Sequence, residues 1–172
     1  MTHVRTLILG AGAAGMMCAA HAGPDTLVID HAKAPGEKIR ISGGGRCNFT
    51  NLHTAPENFL SENPHFCKSA LSRYTQWDFL DLVARHAIPW HEKTLGQLFC
   101  DRSAKDIIAM LRAEMGDTPL WLETGVEDIA HDGTGFRASL TRAGKPVTVT
   151  ADHLVLATGG KSIPKMGATG LA

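Results

Sequence analysis

The residues best suited to chemistry lie in the first thirty positions. Gly10-Ala11-Gly12-Ala13-Ala14-Gly15 follows a short apolar run, Val4-Arg5-Thr6-Leu7-Ile8-Leu9, and precedes an Ala- and Met-rich stretch, residues 16–22, of helical composition. A second apolar run, Thr26-Leu27-Val28-Ile29, ends in Asp30. Strand, glycine turn, helix and strand in this order are the context in which GxGxxG binds a dinucleotide. Gly10 permits the tight turn, Gly12 leaves room for a pyrophosphate, and Gly15 lets helix and strand pack closely. The helix start at Ala13 and Ala14 offers free N–H groups and a partial positive charge to the phosphates. Asp30, twenty positions after Gly10, stands where a carboxylate accepts hydrogen bonds from a ribose 2′-OH. The competing explanation is a glycine-rich connection in some other α/β protein.

A second informative stretch covers residues 36–51, Gly-Glu-Lys-Ile-Arg-Ile-Ser-Gly-Gly-Gly-Arg-Cys-Asn-Phe-Thr-Asn. It reads as a loop. Gly43, Gly44 and Gly45 allow several backbone N–H groups to face an anion or a flat ring. Lys38, Arg40 and Arg46 add positive charge, and Ser42, Asn48 and Thr50 add neutral hydrogen-bonding groups. A flexible linker would not interleave apolar Ile39, Ile41, Cys47 and Phe49 with them. Cys47 reads as a small buried hydrophobe rather than a reactive thiol.

The run GEKIRISGGGRCNFTN resembles the signature of the bacterial flavoproteins called YhiN-like or BaiN-like NAD(P)/FAD-dependent oxidoreductases. The resemblance extends along the whole chain. It implies that the dinucleotide is FAD and that Lys38, Ser42, Gly43, Gly44, Arg46, Cys47 and Asn48 lie along it. It also implies that backbone near Val126 touches the adenine. Thr158-Gly159-Gly160, after the apolar run His153-Leu154-Val155-Leu156-Ala157, resembles a second FAD-contact motif of such proteins. Residues 164–170 resemble the family's PxxGATG run, expected at the flavin end. One departure stands out: the family carries proline where this chain has Cys100.

The elements that must position these residues are legible in the remaining pattern. Pro64 opens a predicted helix over residues 65–71. Thr75 resembles an N-cap, and Phe79, Leu80, Leu82, Val83 and Ala87 form a helical stripe closed by Pro89. Residues 90–99 predict a hairpin turning at Thr94-Leu95-Gly96, with His91 a solvated hairpin histidine. Ser103 caps a helix that runs to about Met115 and stops at Gly116. Residues 119–122 return to the parallel sheet. From Thr124 the period becomes two: Val126 and Ile129, then Phe136, Ala138 and Leu140, then Val147 and Val149. Asp132-Gly133 and Ala143-Gly144 are turn signals, so three short antiparallel strands form a β-meander. Such a meander favours FAD over NAD. The fold class is α/β, a Rossmann-like FAD-binding domain of the glutathione-reductase type. Its parallel sheet carries helices and the inserted antiparallel β-meander.

The whole chain narrows the function classes. Its 172 residues, 44% hydrophobic, suit a soluble globular domain. Seventeen basic and seventeen acidic residues balance, which gives no electrostatic case for nucleic acid or an anionic membrane. No apolar run reaches the roughly 18 residues a membrane span needs, and no signal peptide is apparent. Cys18, Cys47, Cys67 and Cys100 lie far apart, so neither a redox dithiol nor a metal site is expected, and reduced thiols fit the cytoplasm. The resemblance implies that residues 1–172 are an incomplete FAD-binding domain, with a second domain and a C-terminal FAD segment absent. The reading that follows is an FAD-dependent oxidoreductase, drawing on NAD(P)H or another donor and acting on an unidentified small molecule. No nucleic acid or membrane partner is expected, and catalytic residues are unassigned. A non-catalytic truncated dinucleotide-binding module is the alternative. A flavin-dependent RNA-modifying enzyme is a weaker one, disfavoured by the balanced charge.

Overall fold

The computed structural model describes residues 2–160. The expected PxxGATG run and Lys161 lie outside the described residues. The chain forms two compact units, one of residues 2–38 and 111–160, the other of residues 39–110.

The first unit is built on a six-stranded sheet. It opens with β1 (Thr2–Leu9), α1 (Ala13–His21) and β2 (Thr26–Ile29). Leu7, Ile8, Leu27, Val28 and Ile29 are almost wholly buried, as continuous apolar runs in a parallel sheet should be. α2 (Glu37–Ile41) begins at the end of this segment.

The second unit contains a three-stranded antiparallel sheet of β3 (Asn48–Asn51), β4 (Trp90–Glu92) and β5 (Gln97–Cys100), in the order β3-β5-β4. Its short helices are α3 (Lys68–Arg73) and α4 (Gln76–Arg85), and α5 (Ala104–Glu114) begins here. Thr75 caps α4 as the sequence predicts. Its hydroxyl accepts from the Asp78 N–H at 3.3 Å, while Asp78 accepts from the Thr75 N–H at 2.7 Å. Leu80, Leu82 and Val83 of the stripe are buried, whereas Ala87 lies past the helix end and is exposed.

The chain then returns to the large sheet through β6 (Leu120–Trp121), β7 (Thr124–His131), β8 (Phe136–Arg142) and β9 (Lys145–Leu156). The order is β6-β2-β1-β9-β8-β7, with β6, β2, β1 and β9 parallel and β8 and β7 antiparallel. Val4, Leu7, Leu9, Leu27, Ile29, Ala138, Leu140, Val149 and Ala151 form one buried cluster across it.

Three expectations change. Residues 36–51, read as a loop, hold α2, a 3-10 turn over Ser42–Gly45 and β3. Local glycine content outweighed the apolar spacing of Ile39 and Phe49 in that reading. The helix expected over residues 65–71 starts later, at Lys68. The third meander strand and the final parallel strand are one twelve-residue strand, β9. Asp152 and His153 looked like a break because they are polar. They are exposed, and Asp152 faces His3 on β1 with 3.5 Å between Oδ1 and Nε2. β9 therefore pairs with β8 through residues 145–151 and with β1 through residues 149–156.

Candidate cofactor site

In the first unit the glycine turn sits at the carboxyl ends of β1 and β9, where open α/β sheets bind ligands. Gly10 has φ +109°, and its N–H donates to the Ile29 carbonyl at 2.8 Å. A Cβ on Gly10 would lie 2.4 Å from the Ala157 carbonyl oxygen, and one on Gly15 would lie 1.8 Å from the Gly10 carbonyl oxygen. These two glycines are therefore needed for packing. Gly12 differs: a Cβ there would meet nothing within 4 Å. It is the N-cap of α1, in extended conformation, with no side chain capping the helix. Ala13 and Ala14 beside it are exposed. The turn thus leaves an open, uncapped helix N-terminus, suited to an anion.

Asp30 closes this turn from the end of β2. Its Oδ2 accepts from the Ala11 N–H at 2.6 Å and its Oδ1 from the Ala32 N–H at 2.9 Å. Its carboxylate thus ties the glycine turn to the segment that follows β2. A carboxylate has about four lone-pair sites, so a ribose hydroxyl can still be accepted.

A cleft of about 350 Å³ opens beside Asp30, lined by Gly10, His31, Val126, Ile129, Leu156 and Thr158 among others. Gly10, Asp30, Val126 and Thr158, named from sequence, meet there. Val126 and Leu156 are exposed apolar side chains, at 42% and 67%, which suits a wall for a flat ring. His31, Leu156 and Ile129 escaped the sequence reading; the position of His31 and Leu156 at strand ends was the available signal. A larger cleft, about 490 Å³, lies at the amino ends of β1 and β2 between Thr2, Asp25 and Trp121. It is at the wrong end of the strands for this class of ligand. On the same side as the turn, the Lys38 ammonium donates to the Gly160 carbonyl, and a Cβ on Gly159 would lie 3.5 Å from Lys38 Nζ.

In the second unit the remaining candidates share one tight turn. Gly43 and Gly44 take φ +56° and +66°. The Ser42 hydroxyl donates to the Ile39 carbonyl at 2.8 Å, and the Cys47 N–H donates to the Ser42 carbonyl at 3.0 Å. Gly44, Arg46 and Asn48 are exposed along this turn, while Cys47 is buried. Burial pushes the Cys47 thiol up, against a smaller lowering by its hydrogen bond with Ser42. It is a buried protonated thiol, in line with its reading as a small buried hydrophobe. Cys100, at the departure from the family pattern, is fully buried at the end of β5 opposite Trp90. Burial first, then the neighbouring Cys47, Asp106 and Asp101, push it up to about 12. Among the described residues no cluster of His, Cys, Asp and Glu could hold a metal ion, and no helix is long and apolar enough to cross a membrane.

Comparison with known proteins bears on what these features serve. The chain is 54% identical over 98% of its length to a ribosomal RNA dihydrouridine synthase of Escherichia coli (strain K12). It is 45% identical over 95% of its length to a protein of the same name from Haemophilus influenzae. A 3-dehydro-bile acid delta(4,6)-reductase of Clostridium scindens is 28% identical over 95% of the chain. The chain spans 42% of the length of each of the first two and 41% of the third. Among solved structures, an open-conformation flavocytochrome c3 fumarate reductase matches with a TM-score of 0.60. It is 20% identical and covers 96% of this chain and 35% of that one. The fold is thus the Rossmann-type fold of FAD-binding domains, with its antiparallel strands.

The relatives correct two expectations. An unidentified small-molecule substrate and the absence of nucleic acid do not stand beside two near full-chain relatives named for ribosomal RNA. The first came with the family resemblance; the second, and the low rank given to an RNA-modifying enzyme, rested on a formal charge of zero, but a charge summed over one segment says nothing about the rest of proteins more than twice as long. The HI0933-like protein Rossmann domain model matches residues 4–172, and the chain belongs to that family.

Proposed function

We propose that this chain is the FAD-binding part of an enzyme that reduces uridine in ribosomal RNA to dihydrouridine. The observation that carries the proposal is the 54% identity, over nearly the whole chain, to a protein named for that activity. The residues present fit FAD. Gly12 leaves an uncapped helix N-terminus open for the pyrophosphate. The cleft beside Asp30 offers a carboxylate for a ribose and the apolar walls Val126 and Leu156 for an adenine. Lys38, in the same unit, supplies positive charge beside Gly159 and Gly160 for the rest of the molecule.

Bound FAD supplies hydride transfer, with NAD(P)H as the proposed source of electrons. The chain's own residues bind and orient. Helix α1 neutralises phosphate charge, Asp30 holds the glycine turn in shape, and the protonated Cys47 and Cys100 contribute packing rather than redox chemistry. The test is complementation. A strain lacking the Escherichia coli relative, supplied with the protein, regains dihydrouridine in its ribosomal RNA by nucleoside mass spectrometry. Ribosomal RNA still without dihydrouridine, with the protein expressed and yellow, sinks the proposal.

A further inference from the structure

The larger cleft of the first unit, about 490 Å³, takes no part in the nucleotide site. It lies at the amino ends of β1 and β2, a full strand length from the glycine turn. Its volume is that of a small-molecule site. Its floor is apolar, formed by buried Val4, Leu27 and Met115. One wall is the half-buried Trp121. The Arg142 guanidinium lies 4.3 Å from the Trp121 ring centroid, so this indole already carries one cation. The rim is acidic. Asp25 immediately precedes β2, Asp117 lies between α5 and β6, and both are exposed. β2 and β6 are parallel neighbours with Val28 opposite Leu120. Counting back equally along both from that pair reaches Asp25 and Asp117, so the two acids come to the same end of the sheet. Among the described residues that line the cleft there is no lysine, arginine or histidine.

These surfaces exclude several ligand classes. Two carboxylates without a facing cation repel a nucleotide or any other anion. A bare calcium ion takes about 6 to 8 oxygen ligands, and among the described residues no cluster of His, Cys, Asp and Glu could hold a metal. An uncharged apolar ligand leaves the acidic rim unanswered. An aliphatic chain bearing ammonium groups meets all three surfaces. Its methylenes lie on the floor, and its charges face the indole and the two carboxylates. We propose that this cleft binds a polyamine, an aliphatic amine with two or more ammonium groups. The site is independent of the function proposed above, since it shares no residue with the nucleotide cleft.

The test is a titration of the protein with spermidine and putrescine, followed by the indole N–H resonance of Trp121 in nitrogen-edited NMR and assigned with Trp121→Phe. Both amines shift the resonance saturably. The dissociation constant is about 0.1–1 mM, because exposed ion pairs are individually weak. Butylamine, with one charge, binds about threefold more weakly than putrescine, and the uncharged diol of the same chain length does not bind. Asparagine is close to aspartate in shape and tolerates the φ of +57° at Asp25. Asp25→Asn and Asp117→Asn therefore keep the wild-type melting temperature without amine. Each weakens spermidine about threefold, and the two together about tenfold. Equal spermidine affinity in the double variant overturns the proposal. So does equal binding of the diol, a shift that sodium chloride of the same ionic strength reproduces, or no saturable shift at all.

Discussion

At the scale of single residues, the glycine turn separates two kinds of glycine that the motif treats alike. Gly15 is packed against the Gly10 carbonyl, so Gly15→Ala forces backbone apart, and we expect a loss of about 2–4 kcal/mol in urea unfolding. Gly12 faces open space, so Gly12→Val leaves the unfolding free energy within about 1 kcal/mol. It nevertheless abolishes flavin retention on desalting, because the new side chain stands where the pyrophosphate approaches the helix. Equal stability losses in the two variants would refute this division of labour. The cysteines divide similarly. Burial holds Cys100 protonated up to about 12, and raises Cys47 as well. At neutral pH in the native state, alkylation is expected at half-buried Cys18 and not at these two. The linkage has a definite sign. The unfolded thiol ionises near its ordinary 9.0 while the folded one does not, so stability is whole below pH 9 and falls as pH rises from there toward 12. Cys100→Ala flattens that decline in unfolding measured between pH 8 and pH 10.5; an unchanged slope would mean that another group causes it.

At the scale of elements, β9 does the most. It is the only strand among those described that pairs in parallel on one side and antiparallel on the other, so it joins the nucleotide-binding strands to the meander. Its start is set by a two-residue turn, Ala143-Gly144, with φ of +49° and +73°. Positive φ at both central positions is the turn that matches strand twist in hairpins. Gly144→Val is expected to cost about 1–2 kcal/mol, since a β-branched residue resists that conformation. Circular dichroism melting checks it, and a melting temperature equal to wild type would show that the turn is adaptable. The Ala143-Gly144 dipeptide announced this turn in the sequence. The continuity of β9 was not announced, because polar Asp152 and His153 interrupt the apolar alternation; both are exposed, Asp152 facing His3 and His153 in register with Thr6 on β1.

At the scale of the whole molecule, charge is balanced at seventeen of each sign. If ribosomal RNA contacts this chain, few phosphates are neutralised by it. The logarithm of RNA affinity plotted against that of salt concentration is then expected to slope more gently than about −2. Fluorescence anisotropy with a labelled ribosomal RNA fragment between 50 and 200 mM salt, conditions set by the same principle, measures the slope. A slope near −6 would instead reveal a concentrated basic surface. Among the described residues the five exposed large aromatic side chains, Phe59, Phe66, Tyr74, Trp77 and Trp90, all lie in the second unit. Among the described residues of the first unit the exposed large apolar side chains are Val126 and Leu156, both in the cleft beside Asp30.

Much of this was determined by the sequence alone. Strand, GxGxxG, helix and terminal acid are local in the chain, and each depends on backbone sterics and periodicity that neighbours do not override. The capped helix after Thr75, the hairpin at residues 90–99 and the meander turns belong to the same class. Tertiary structure decided what depends on residues distant in sequence. It made Asp30 a brace for the Ala11 N–H, and it separated open Gly12 from packed Gly15. It also turned a hairpin histidine, unremarkable in sequence, into a ring stacked on Phe99 and held by Asp101. Cross-strand register, not spacing along the chain, brings Asn48, Phe99 and His91 onto one face, and register is fixed only when the strands pair.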